Sequence, residues 1–399
     1  MDSNRSSRTL SASTSTMTLT PTTSRRSSIT ARNTNRPSPP LPTAPPGPMP
    51  VTTLSTKSWR KAYPRIGQFA MTESQEVVAA GPRGLFYFKR VQDHVSKPWS
   101  KARLLPSTPA MLDNSSVSGL AIHSSEQRLD IYCVSRGVLH CFYRSAKPGS
   151  SFVVNPRPPF STHAVSGTPA IIVATTLDSP ERLHLVVPCQ LGGLLHTSTT
   201  ELSSSSSYIS KWSSVNHVAK HLGVISAVSI TTVHTGGRYR SRETVIVAAC
   251  IITARLHILE GLFERTPTYH SSSCDWETQP STRIPHPGEV TGNPVLINTG
   301  SRINQLDLLV PSAEGGVFHF VRTASTPDEW HMIARITFPP SLPLASCLAL
   351  NFHTSYERKE FEALVQSGGQ IYQVKTYEGT NPWSGSYLIP IVAPGPFSD

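Results

Sequence analysis

Charged side chains are scarce, at 15% of the 399 residues, against about 25% in an ordinary globular chain. Acids are scarcest at the start, where none occurs between Asp2 and Glu73. Aromatic residues are missing altogether from residues 1–56. Long apolar runs are missing too: the longest is Val245 to Ile252, far short of the ~18 residues that cross a bilayer, so an integral membrane protein is excluded. The N-terminus has no continuous apolar core of the kind a signal peptide needs, so classical secretion is not expected, and organelle targeting is disfavoured by too few apolar residues for an amphipathic presequence. The expected address is the cytoplasm, with non-classical secretion left open. Six cysteines form no CxxC pair and most sit singly in apolar runs, where a thiol acts as a small hydrophobe, so zinc is not expected. Cys133 and Cys141 flank a tight turn and could face each other across a hairpin, although reduced packing partners are the expected state without an export signal.

Residues 1–56 hold 11 Ser, 13 Thr and 9 Pro, with six Arg against Asp2. Such a segment buries too little apolar surface to offset its ordering entropy, so it reads as a disordered basic tail. Within it, Arg36 to Pro42 (RPSPPLP) fits a basic residue followed by PxxP, which a polyproline II groove of SH3 type could take; a plain spacer is the competing reading. Ser28, after Arg25-Arg26, suits a basophilic kinase. The tail supplies +5 of the total +11. The remaining charge is spread out with no basic run interleaved with aromatics, so neither nucleic acid nor a membrane is expected as a partner.

Residues 57–399 repeat. Six segments share a strand, a short turn and a second strand: Glu76 to Arg90, Leu129 to Arg144, Leu183 to Thr199, Thr244 to Glu260, Leu306 to Arg322 and Phe361 to Thr376. Aligned, they stack Gly84, Gly137, Gly193, Ala254, Gly316 and Gly369 in one column. Three residues further on lies a second: Tyr87, His140, His196, His257, His319 and Tyr372. After each hairpin an aromatic residue opens another apolar stretch, at Trp99, Phe152, Trp212, Trp276, Trp330 and Trp383, spaced by 53, 60, 64, 54 and 53 residues. One more strand precedes most hairpins, as in SGTPAIIVA (Ser166 to Ala174), VISAVSITTV and TGNPVLIN. Four short strands per unit, punctuated by Gly, Pro and Ser, are the pattern of propeller blades, which cannot cover both faces alone and must close into a ring. The expectation is an all-β chain: a six-bladed β-propeller over 57–399 behind the disordered tail. Trp59 in KSWRKA echoes Trp99 in KPWSKA, which leaves a latching strand or an incomplete seventh blade open.

The alternation of GxPxLI or VxAVSI strands with LDLLVPxxxGGxFHFxR hairpins and a following Trp resembles the PLL-type and fucose-lectin-type β-propellers of fungi and bacteria, best over Thr291 to Trp330. The WD40 signature is missing. The resemblance implies a non-catalytic carbohydrate-binding domain that takes a sugar or glycoprotein between blades, needs no cofactor, and uses Trp99, Trp212, Trp276, Trp330 and Trp383 as binding residues, with His140, His196, His257 and His319 beside them. Many PLL-type relatives have seven blades. Phe152 in place of Trp, and Ala254 in place of the turn glycine, point to fewer working sites or none.

Each of these residues also has a plainer reading. The tryptophans could be apolar wedges between blades, and the histidines could brace neighbouring strands, since members of a ring of equivalents lie too far apart to share one metal ion. His217 and His221, at i and i+4, would suit a metal only on a helix, and no HExxH glutamate accompanies them. Glu76, Asp130, Asp307 and Glu362 recur at one place in the hairpin's first strand. Glycosidase chemistry needs two non-equivalent carboxylates about 5 to 9.5 Å apart, so a residue repeated in four blades reads as structural. No nucleophile elbow, phosphate loop or Cys-His signature occurs. The chain is expected to be no enzyme, with a protein-interaction scaffold as the alternative to a lectin and a glycoside-active enzyme as the least favoured reading.

Overall fold

A computed structural model of the protein describes residues 66–91, 99–105, 112–147, 149–176, 179–199, 212–235, 243–262, 276–278, 284–285, 287–300, 305–327, 329–338, 342–354, 359–377 and 389–390. The tail with its Arg36 to Pro42 motif and Ser28, Trp59, Cys274 and Trp383 all lie outside the described residues.

The chain makes six four-stranded antiparallel sheets, each from consecutive strands. Blade 1 comprises β1 (Phe69–Met71), β2 (Glu76–Gly81), β3 (Gly84–Lys89) and β4 (Arg103–Leu104); blade 2, β5 (Val117–Ser124), β6 (Arg128–Ser135), β7 (Val138–Ser145) and β8 (Val153–Val154). Blade 3 holds β9 (Ala170–Thr176), β10 (Ser179–Pro188), β11 (Leu194–Ser198) and β12 (Asn216–Val218); blade 4, β13 (Ile225–Thr235), β14 (Glu243–Ile252), β15 (Arg255–Leu262) and β16 (Trp276–Thr278). Blade 5 follows with β17 (Val295–Asn298), β18 (Leu306–Pro311), β19 (Val317–Arg322) and β20 (His331–Ile336), and blade 6 with β21 (Ala345–Thr354), β22 (Lys359–Ser367), β23 (Gln370–Tyr377) and β24 (Ile389–Pro390). This is the six-bladed propeller the repeat predicts. His217 lies on β12 and His221 in a single 3-10 turn, so the helix their spacing would require does not form.

Strand alternation sends every second side chain to each side of a blade, so every blade must bury two apolar faces. Six apolar clusters do this, one per junction. Val78 and Leu85 of blade 1 meet Leu120 and Phe142 of blade 2. Tyr132 and Cys141 of blade 2 meet Leu185 and Leu195 of blade 3, and Val186 meets Ile246 and Leu259. Val247 and Ile258 of blade 4 pack on Leu308 and Phe320 of blade 5, Leu309 and Val317 on Ala363 and Val365 of blade 6, and Leu364 and Ile371 return to Val77, Phe86 and Phe88 of blade 1. The first strands surround a central cavity of about 2320 Å³.

Where those strands begin, neighbouring blades touch through backbone. A Cβ on Gly119 would lie 2.3 Å from the Thr168 Cα, and one on Gly167 2.2 Å from the Ser226 carbonyl oxygen. The Ser-Gly-Thr that opens SGTPAIIVA is therefore a close-approach site, a need only glycine meets. Among the described residues the ring closes without strand exchange, since blade 6 is built from β21–β24. Side chains and single backbone bonds seal it: Ile66 N–H donates to the Gly369 carbonyl (2.9 Å), Gln366 Nε2 to the Ile66 carbonyl (3.0 Å) and Asn351 Nδ2 to the Glu73 carbonyl (2.8 Å).

Cys133 lies opposite His140, and Cys141 opposite Tyr132. Period two thus points the two thiols to opposite faces of blade 2, Cys133 toward blade 1 and Cys141 toward blade 3. The facing arrangement suggested by the sequence does not occur, and both remain free thiols, pushed up by burial.

Candidate functional site

The carboxylates of the hairpins' first strands share one orientation. Glu76 follows the alternation of Val78, Asp130 that of Tyr132, Asp307 that of Leu309 and Glu362 that of Leu364, so all four point at the next blade. In blade 3 this place is taken by His184. Blade 4 has Val245 there, and its acid comes from Glu260 at the end of β15.

Three of these acids meet an arginine from the blade they face. Arg144, at the end of β7, alternates with Phe142 and so points back to blade 1, where its Nη2 lies 2.9 Å from Glu76. Tyr87 also donates its hydroxyl to Glu76, as does Ser124 at 3.2 Å. Arg144 lies over both the Tyr87 ring (4.5 Å) and the Phe152 ring (5.0 Å). Burial, and then the bond to Glu76, push the Tyr87 hydroxyl up to about 12, so it stays a donor. Arg322 of blade 5 pairs with Glu260 of blade 4 at 2.6 Å and lies 5.4 Å from the Trp330 ring centre. Arg90 of blade 1 pairs with Glu362 of blade 6 at 2.5 Å; Gln75 and Gln373 donate to the same carboxylate, and Trp99 bridges to Arg90 in the ladder. Each cluster is partly open: the side chains of Arg90 and Arg144 keep 24% and 23% exposure, and that of Glu260 23%.

Two of the other junctions differ because the back-facing strand end carries Thr199 or Gly261 in place of arginine. Asp130 is held instead by Arg128 of its own blade (Nε to Oδ1, 2.6 Å), and burial, opposed by Arg128, raises its carboxyl to about 6. Asp307 pairs with His319 at 2.7 Å, fully buried. His184 and His196 share one hydrogen bond of 2.9 Å between stacked rings. Each column carboxylate therefore sits in a different junction.

Three of the described tryptophans are interblade wedges. Trp99, Trp276 and Trp330 keep 5%, 4% and 2% exposure, and their indole Nε1 atoms have no hydrogen-bond partner among the described residues. Trp212 is half-buried, edge-on to Tyr132 of the preceding blade. The histidine column divides: His196 and His319 face the following blade, whereas His140 and His257 face the preceding one, as their partners Val186, Leu309, Cys133 and Cys250 show. Equal spacing from the turn did not make these positions equivalent, because a change in loop length shifts which face a given residue occupies.

Buried neutral histidines predict a pH response. Burial holds His196 down at about 4, His184 at about 3, helped by His196, and His123 at about 4, helped by Arg128. A folded-state value below the unfolded 6.5 means stability that is complete above pH 6.5 and lost as pH falls toward 4. For His196 alone this amounts to on the order of 3 kcal/mol. Asp130, raised by burial, acts the opposite way between pH 6 and 4. With three histidines against one aspartate, the melting temperature should fall between pH 6.5 and 4.5, and less so in His184→Asn. A melting temperature flat across that interval would refute the assignment.

No protein-family model matches this sequence, and no curated protein does. Solved structures do. A mutant of the Aleuria aurantia lectin in complex with alpha-methyl-L-fucoside is 13% identical, covering 82% of this chain and 96% of that one, with a TM-score of 0.48. AofleA from Arthrobotrys oligospora is 9% identical, covering 82% and 87%, with a TM-score of 0.54. At such identity the AofleA likeness concerns the fold.

Proposed function

We propose that this propeller is a non-catalytic carbohydrate-binding module that takes sugar hydroxyls at the blade junctions. The supporting observation is the repeated grouping of arginine, carboxylate and aromatic ring at three junctions: Arg90 with Glu362 and Trp99, Arg144 with Glu76 and Phe152, Arg322 with Glu260 and Trp330. A sugar hydroxyl both donates and accepts. A guanidinium fork that only donates, beside a carboxylate that only accepts, complements two adjacent hydroxyls, and the ring supplies apolar wall. In this reading the charged pairs carry recognition, while Trp99 and Trp330 back them. The resemblance to fucose-lectin-type propellers, and the fucoside in the Aleuria aurantia lectin complex, suggest a fucoside as the first sugar to try.

A glycan array with the full chain tests this. Saturable binding is expected, with Arg144→Ala and Arg322→Ala each weakening their own site by about tenfold or more, the worth of one charge-assisted hydrogen bond. Silence across sugars alongside protein capture would favour the interaction scaffold, and unchanged binding in both variants would move the sites elsewhere.

A further inference from the structure

Three turn tips on one face of the ring, opposite the arginine clusters, hold apolar side chains out in solvent. Val138 opens β7, Leu191 crowns the β10–β11 turn and Val224 precedes β13; they are 50%, 86% and 58% exposed. They adjoin one another through backbone. Val165 N–H donates to the Gly137 carbonyl (3.1 Å), and Gln190, next to Leu191, donates through its backbone to Ala164 (3.1 Å) and through Nε2 to Val165 (3.1 Å). Gly193 N–H donates to the Gly223 carbonyl (2.8 Å). Ile225 pairs with Ile252, which sets Val224 beside the blade 4 tip. The Leu191 turn is rigid, closed by Gly192 N–H on the Cys189 carbonyl (3.0 Å) and Cys189 N–H on the Gly193 carbonyl (3.1 Å), with Gly192 and Gly193 at φ 95 and 70.

The same tips carry Arg136, Lys220 and Arg255, all exposed, and no carboxylate lies in 136–138, 189–193 or 219–224; exposed Glu289 stands beside the Arg255 tip, where Val290 N–H donates to the Ala254 carbonyl (2.9 Å). A held-out leucine flanked by valines is convex, a shape that inserts into a deformable apolar phase, and the cations around it complement anionic headgroups. We propose that this face seats the propeller on an anionic membrane surface, with Leu191 and Val224 entering the headgroup boundary. This is association, not spanning: among the described residues no helix is long and apolar enough to cross a bilayer. It departs from the expectation that a membrane is no partner, because the tips come from three distant segments and form no run in the sequence. It also stands apart from the sugar reading, whose residues lie at the other end of the blades.

Cosedimentation of the full chain with phosphatidylcholine vesicles, with and without phosphatidylserine, tests it. Binding is expected to the anionic vesicles and to weaken in salt. The double variant Leu191→Ser with Val224→Ser should lower partitioning about tenfold with its melting temperature unchanged, since both side chains are exposed. Arg255→Gln with Lys220→Gln should weaken binding to the anionic vesicles alone. The arginines of residues 1–56 are common to wild type and variants, so the difference reads the tips. Equal pelleting of wild type and the Leu191/Val224 variant would overturn the proposal. So would no pelleting at all, or retention on polyglutamate without vesicle binding, which would indicate an acidic protein partner.

Discussion

Trp330→Ala should cost about 3–5 kcal/mol of stability, the usual loss for a large aromatic cut out of a packed core. Trp330 is 2% exposed and lies among Val247, Ile258, Leu308 and Phe320, side chains from both blades 4 and 5. Removing it opens a cavity in the apolar cluster that joins those two sheets. Trp330→Phe should cost far less, because it keeps most of the apolar volume and removes an indole N–H that has no partner. A tryptophan serving only as an exposed sugar platform would change stability by no more than about 0.5 kcal/mol. Denaturant unfolding at unchanged slope distinguishes the two. If Trp330→Ala unfolds at the wild-type midpoint yet loses ligand, the wedge role is wrong.

Glu362→Ala should be comparably damaging, for a different reason. Blades 6 and 1 are the one adjacent pair not joined by a chain connection, so their seam depends on side chains and single backbone bonds. Glu362 stands at its centre: it accepts from Gln75 and Arg90 of blade 1 and from Gln373 of its own blade, with its side chain 4% exposed. Truncation takes the shared carboxylate from two buried amides and from Arg90, which keeps the Gln75 Oε1 acceptor (3.2 Å), a loss toward the lower end of the range of about 3–5 kcal/mol for a broken buried pair. Glu76→Ala, at a more exposed pair whose blades are also joined by chain, should cost less. Hydrogen exchange should report the seam directly, with the amides of β1 and β22 losing protection first in Glu362→Ala. A loss below about 1 kcal/mol, or exchange unchanged in β1, would mean that the closure rests on the apolar cluster alone.

Much of the ring was legible because its cause is local. Each hairpin announces itself by alternation around a turn, and the six-fold recurrence of turn and aromatic favours six blades, with the echo of Trp99 at Trp59 leaving an incomplete seventh open. The carboxylate column was legible as well, since Glu76, Asp130, Asp307 and Glu362 keep one orientation. What escaped was the meaning of Arg90, Arg144 and Arg322. They end three of the quoted hairpins, yet nothing local marks Glu362, Glu76 and Glu260 as their partners, which come from another blade in each case. The useful signal would have been an arginine eight or nine residues before the aromatic, combined with the parity of each position along its strand. Parity also broke the histidine column, since His140 and His319 lie at the same distance from their turns and face opposite ways.

By itself, then, the order of residues determined the repeating unit, the four strands in it and the need for every sheet to find two neighbours, because strand alternation and turn chemistry act over a few positions. Tertiary structure alone decided which groups meet across a junction, that Trp99, Trp276 and Trp330 are enclosed, and that the tips carrying Val138, Leu191 and Val224 adjoin one another. These outcomes depend on which face each side chain takes and on which blade stands next to it, and both are properties of the closed ring.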